Sequence, residues 1–84
     1  MCIRDSLYFA WLRERIGAPR ERVETSAATV RELIAELVAR GDRHAAALSD
    51  LGAVRVAVDQ ALADLDAPLG DAREVAFFPP MTGG

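Results

Sequence analysis

Eighty-four residues, a net charge of −3, a pI near 5.0 and 51% apolar side chains describe one small globular domain, able to bury somewhat more than about 60% of its unfolded surface. The acidic balance argues against a nucleic-acid partner, which would favour a basic patch, and no apolar run approaches the roughly 18 residues of a membrane span. The single cysteine, Cys2, excludes an internal disulfide and any multi-cysteine zinc or iron–sulfur site. No signal-peptide pattern is present, so a cytoplasmic location is expected. All ten basic residues are arginine, which leaves no lysine to accept an isopeptide bond on this chain.

Met1 to Ser6 read poorly, because Arg4-Asp5-Ser6 interrupts the place where an apolar strand should start. The expectation is a leader foreign to the domain, introduced by cloning or sequence assembly. From Leu7 the aromatic-rich Leu7-Tyr8-Phe9-Ala10 suits a strand, followed by a short helical turn over Ala10 to Ile16 that Gly17 and Pro19 stop. Arg20 to Thr25 alternates charges with few apolar residues, which suits an edge strand that discourages stray pairing. Thr29-Val30-Arg31-Glu32 is a capping box. Behind it Val30, Leu33, Ile34, Leu37 and Val38 form one apolar helical stripe, with Gly41 placed to end the helix. Asp42 to Asp50 suits a second, shorter helix packed through Ala45, Ala46 and Leu48. Ala53 to Val58 alternates with Val54, Val56 and Val58 on one face, and Asp59-Gln60 can turn the chain into Ala61 to Leu65. Pro68-Leu69-Gly70-Asp71 is turn chemistry, and Glu74 to Phe78 is the last strand. Two strands, a long helix and three strands make a small α+β domain, a four- to five-stranded sheet with one main helix across one face.

The residues after that strand carry the functional argument. Phe77 and Phe78 anchor the segment, Pro79 and Pro80 stop regular pairing, and Met81-Thr82-Gly83-Gly84 has little side-chain bulk. Residues 79–84 are expected to be a flexible tail. The six residues beyond Phe78 reach roughly 20 Å when extended, enough to carry the Gly84 carboxylate into a partner's active site. Alternation in a strand sends Phe77 and Phe78 to opposite faces. One ring is core; the other, with Pro79, Pro80 and Met81, is the candidate partner-docking patch.

Leu7-Tyr8-Phe9-Ala10 with Leu12-Arg13-Glu14, Thr29 to Leu37, Val54 to Val58, and Glu74-Val75-Ala76-Phe77-Phe78-Pro79-Pro80 ending in Gly83-Gly84 together resemble one family. It is the small, sulfur-carrier subunit of molybdopterin synthase, within the ubiquitin-like β-grasp group that also includes the thiazole sulfur carrier. The resemblance covers nearly all of the chain from Leu7 and departs from the family only in Met1 to Ser6. It implies a β-grasp fold with a mixed sheet, and chemistry confined to the tail. Gly84 would be adenylated by a ubiquitin-activating-like adenylyltransferase using ATP, then converted to a thiocarboxylate by a sulfur donor protein. Gly83, Thr82 and Met81 would thread into the large synthase subunit within an expected heterotetramer. There sulfur would pass to cyclic pyranopterin monophosphate, the catalytic residues being the large subunit's. On this reading the chain is a protein co-substrate that binds no cofactor of its own.

Other residues carry blander readings. Asp64 and Asp66 read as solvated turn residues and not a metal pair, so no metal site is assigned. His44 reads as a surface residue with no acid placed beside it by sequence. Cys2 has no part in sulfur transfer, and Arg13, Arg15 and Arg55 belong to solvated faces. Two alternatives stay open: the sulfur carrier of thiazole biosynthesis, and a ubiquitin-like protein modifier.

Overall fold

The computed structural model describes residues 2–80. Its elements are β1 (Cys2–Tyr8), α1 (Trp11–Ile16), β2 (Arg20–Thr25), α2 (Val30–Val38), α3 (Asp42–Leu48), a 3-10 turn (Leu51–Ala53), β3 (Arg55–Val58), β4 (Ala61–Ala63) and β5 (Glu74–Phe78). They form one mixed five-stranded sheet in the order β2-β1-β5-β3-β4. β5 runs parallel to β1 on one side and antiparallel to β3 on the other, so the last strand of the chain closes the middle of the sheet.

One face of the sheet is the core. Tyr8, Val23, Val54, Val56, Val75 and Phe77 meet Leu12 and Ile16 of α1, Val30, Leu33, Ile34 and Leu37 of α2, and Ala47 and Leu48 of α3. The α2 stripe is buried as its spacing requires, and its first turn is satisfied from three directions. The Val30 and Arg31 amides donate to the Ala67 and Leu65 carbonyls (3.1 and 2.8 Å), and the Glu32 amide donates to Thr29 Oγ1 (3.3 Å). The helix ends earlier than Gly41, at Val38, and Gly41 instead precedes α3. In α3 it is Ala47 with Leu48 that packs inward, while Ala46 stays exposed. Asp59 (φ 48°) and Gln60 (φ 71°) make the tight turn between β3 and β4, the left-handed geometry a two-residue hairpin needs.

The first strand differs from the sequence expectation. It begins at Cys2, so Arg4-Asp5-Ser6 lies inside it, paired to β2 from Cys2↔Thr25 to Leu7↔Arg20. Alternation turns Arg4 and Ser6 toward the core, where Arg4 is 5% exposed. Its guanidinium donates to the carbonyls of Ala72 and of Gly70 (3.0 Å for the latter), and its Nε has no partner. Strand pairing tolerates the polar residues because the backbone ladder does not depend on side-chain identity. The core-facing charge is held by main-chain oxygens in place of apolar packing.

Candidate functional site

The candidate site is the end of β5, and the geometry of that strand is set at both of its ends. At the start, the Asp59 carboxylate accepts from the Arg73 and Glu74 amides, both at 3.0 Å, while the Asp59 amide donates to the Glu74 carbonyl (2.9 Å). At the end, Phe77 is fully buried and stacks on Tyr8, ring centroids 6.0 Å apart and planes 18° from parallel. Phe78, next along, points the other way and is half-buried, as are Pro79 and Pro80. The alternation expected from sequence is realised: Phe77 is the anchor and Phe78 belongs to the opposite face. The remaining tail residues assigned from sequence, Met81, Thr82, Gly83 and Gly84, lie outside the described residues.

Beneath the anchor is a polar cluster. The Tyr8 hydroxyl donates to Glu21 Oε1 (2.7 Å), and His44 Nε2 approaches the same oxygen at 2.7 Å. A carboxylate oxygen can only accept, so the His44 nitrogen is the donor. Arg40 stands 3.9 Å from the other carboxylate oxygen. Burial alone would raise the Glu21 carboxyl. The bonds from His44 and Tyr8, with the charges of His44 and Arg40, outweigh it and hold the group below its ordinary value. Burial, reinforced by the Glu21 carboxylate, holds the Tyr8 phenol above its ordinary range. His44 is therefore not the surface residue its sequence context suggested: its side chain is 14% exposed and has an acid partner brought from β2. The chain separation of 23 residues hid that contact.

On the open face of the sheet, Phe78 sits opposite Arg55 of β3. Tyr8 pairs with Phe77, so Phe9 follows onto the same face as Phe78 and donates its amide to the Phe77 carbonyl (3.1 Å). Among the described residues, Phe9 (47% exposed), Leu62 (80%) and Ile3 (59%) are the large apolar side chains left to solvent, Phe9 at the Phe78 end of the sheet and Ile3 at the other. Sequence reasoning missed Phe9 and Leu62 as surface residues. The signal was present in alternation: Phe9 shares parity with Leu7, and Leu62 faces Ala57 across the hairpin. Asp64 and Asp66 behave as turn residues, Asp64 accepting from the Asp66 amide (2.9 Å) and Asp66 pairing with Arg31 (2.9 Å). Arg13 and Arg15 are exposed, Arg15 lying 5.0 Å over the Trp11 ring. Among the described residues no three His, Cys, Asp or Glu side chains are grouped to hold a metal ion.

The chain is 46% identical over 78 residues to the molybdopterin synthase sulfur carrier subunit of Escherichia coli (strain K12), covering 93% of this chain and 95% of the relative. It is 40% identical over 78 residues to the protein of the same name from Haemophilus influenzae, with the same coverage. Among solved structures, the crystal structure of SAMP1 from Haloferax volcanii superposes with a TM-score of 0.76 at 29% identity, covering 99% of this chain and all of that one. The shared architecture is the ubiquitin-like β-grasp. A profile of the ThiS family matches residues 6–84, the span that includes the core strands, the capped helix and the end of β5. With that match and those relatives, the chain belongs to the ThiS family.

Proposed function

We propose that this chain is the sulfur-carrier subunit of a molybdopterin synthase, a co-substrate whose tail is activated and consumed by partner proteins. The observation that carries the reading is the 46% identity, over nearly the whole length of both chains, to the E. coli subunit of that name. The geometry supports it. β5 delivers the chain from the centre of the sheet at Phe78, beside exposed Phe9, and Pro79-Pro80 then lead toward Gly84.

A C-terminal carboxyl ionises near pH 3.3–3.7, so at neutral pH Gly84 is a carboxylate, a poor electrophile. Attack of its oxygen on the α-phosphate of ATP, with loss of pyrophosphate, would give an acyl-adenylate. Sulfide delivered by a donor protein would then displace AMP, its sulfur taking the place of the phosphate oxygen on the acyl carbon, and leave the thiocarboxylate. ATP belongs to the adenylyltransferase, and this chain holds no cofactor. Met81, Thr82 and Gly83 would thread the tail, while Phe78, Pro79 and Pro80 would dock on the large subunit, where the pterin chemistry takes place. Glycine at Gly84 leaves the acyl carbon uncrowded in both steps. The work would be done in the cytoplasm; among the described residues no helix is long and apolar enough to cross a membrane.

The test is an intact mass after incubation with ATP, an adenylating partner of this carrier class and a sulfur source. The expected result is a gain equal to sulfur replacing oxygen, absent in the Gly84 deletion. An unchanged mass, with a partner that thiocarboxylates its own carrier in parallel, overturns the reading. A second reading is favoured by the similarity to SAMP1, the small archaeal modifier protein 1 of H. volcanii. Attachment of Gly84 to target lysines would appear as slower bands on a denaturing gel.

A further inference from the structure

Three residues other than glycine have positive φ among the described residues. Asp59 and Gln60 occupy the left-handed turn region that hairpins use. Ala10 is different: φ 54° with ψ −134° is a combination that belongs almost solely to glycine, because a Cβ there is crowded by its own backbone. The strain is concentrated at one corner. The Leu12 amide donates to the Phe9 carbonyl (3.2 Å), closing a four-residue turn around Ala10 and Trp11, and the Ala10 carbonyl accepts from the Arg13 amide (3.1 Å). The corner follows the end of β1 at Tyr8 and sends the chain into α1. Phe9, the residue before the corner, is left 47% exposed, and alternation from the Tyr8↔Phe77 pair puts it on the sheet face that carries Phe78. Strain of this kind persists where the surroundings over-determine it, and such places cluster at functional sites.

We propose that Ala10 is a positioning residue: its strained turn fixes Phe9 on the open face of the sheet that also carries Phe78, the face that meets the protein receiving the tail. The inference rests on the function proposed above and adds the corner that presets its docking surface. Glycine would relieve the strain but let the corner sample other turns, so fixing Phe9 would have to be completed on binding. Ordering one such side chain at an interface corresponds to a change of about two- to tenfold in affinity.

The experiment compares the full chain with Ala10→Gly by thermal unfolding, by hydrogen exchange at the Phe9 amide, and by calorimetric titration with a large molybdopterin synthase subunit. The expected result is a midpoint raised by roughly 4 °C or more, faster exchange at Phe9, and affinity lowered about two- to tenfold. A purely structural alanine would move stability and affinity together. A lowered midpoint, unchanged exchange at Phe9, or unchanged affinity in a binding-competent system overturns the role of Ala10. If the wild type does not bind the large subunit, the proposed function fails. Opposite movement of stability and Phe9 protection then still supports the corner, and parallel movement still overturns it.

Discussion

Tyr8 and Phe77 stack face to face, 6.0 Å apart, across the parallel pair at the centre of the sheet. The ring that anchors the tail is thus held by the ring whose hydroxyl is tied to Glu21 and, through it, to α3. Phe77→Ala should cost about 3–5 kcal/mol, a large part of the few to roughly 13 kcal/mol that a domain of this size has in total. Urea denaturation should find the variant largely unfolded at 37 °C.

Phe78→Ala removes a half-buried ring from the open face. Stability should fall by no more than about 1 kcal/mol, while association with the large synthase subunit weakens. Denaturation and calorimetry on the same sample separate the two adjacent phenylalanines. Equal loss of stability in both variants would refute the assignment of faces.

Glu21 ties stability to acid. Its carboxyl is held below the ordinary value of 4.5 in the folded chain, so its contribution is fully present above that value. It is lost as pH falls through the lower folded value. Denaturation midpoints between pH 3 and pH 7 should drop at the acid end for the wild type. Glu21→Gln should be less stable at neutral pH, with a shallower fall below about pH 4.5.

Arg4 points a charge into the core with two carbonyls for partners and its Nε unpaired. Arg4→Met keeps the aliphatic volume and removes the buried charge. It should raise stability by about 1–2 kcal/mol, as replacing buried charges with apolar side chains often does. A drop of that size in a chemical-denaturation series would show that the carbonyl bonds outweigh desolvation.

The Thr29 hydroxyl accepts from the Glu32 amide at the start of α2. Thr29→Ala should cost about 1 kcal/mol, read as a lower thermal midpoint, with sulfur acquisition at 25 °C unaltered.

How far sequence could reach is visible in particular residues. α2 was legible because its apolar period and its cap lie within ten consecutive residues. The Asp59-Gln60 turn and the opposed faces of Phe77 and Phe78 were legible because two-residue turns and strand alternation are local rules. The start of β1 was not, since Arg4-Asp5-Ser6 opposes strand propensity and pairing with β2 and β5 overrides it. The contact of Glu21 with His44 was hidden because β2 and α3 meet only after the sheet and helices have packed. Nothing in the letter at Ala10 announces a glycine-like backbone.

The position of β5 has a consequence for synthesis. Strands β1 and β2 form one hairpin-like pair, and β3 and β4 another; within the sheet the two pairs are hydrogen-bonded together only through β5. A ribosome makes β5 after both, so the two halves wait, each with an unpaired edge, until Glu74 to Phe78 emerge. A chain cut short before Glu74 would lack the strand that joins the two pairs into one sheet. Completion of the sheet and placement of Pro79 and Pro80 at its end are one event, because both depend on β5.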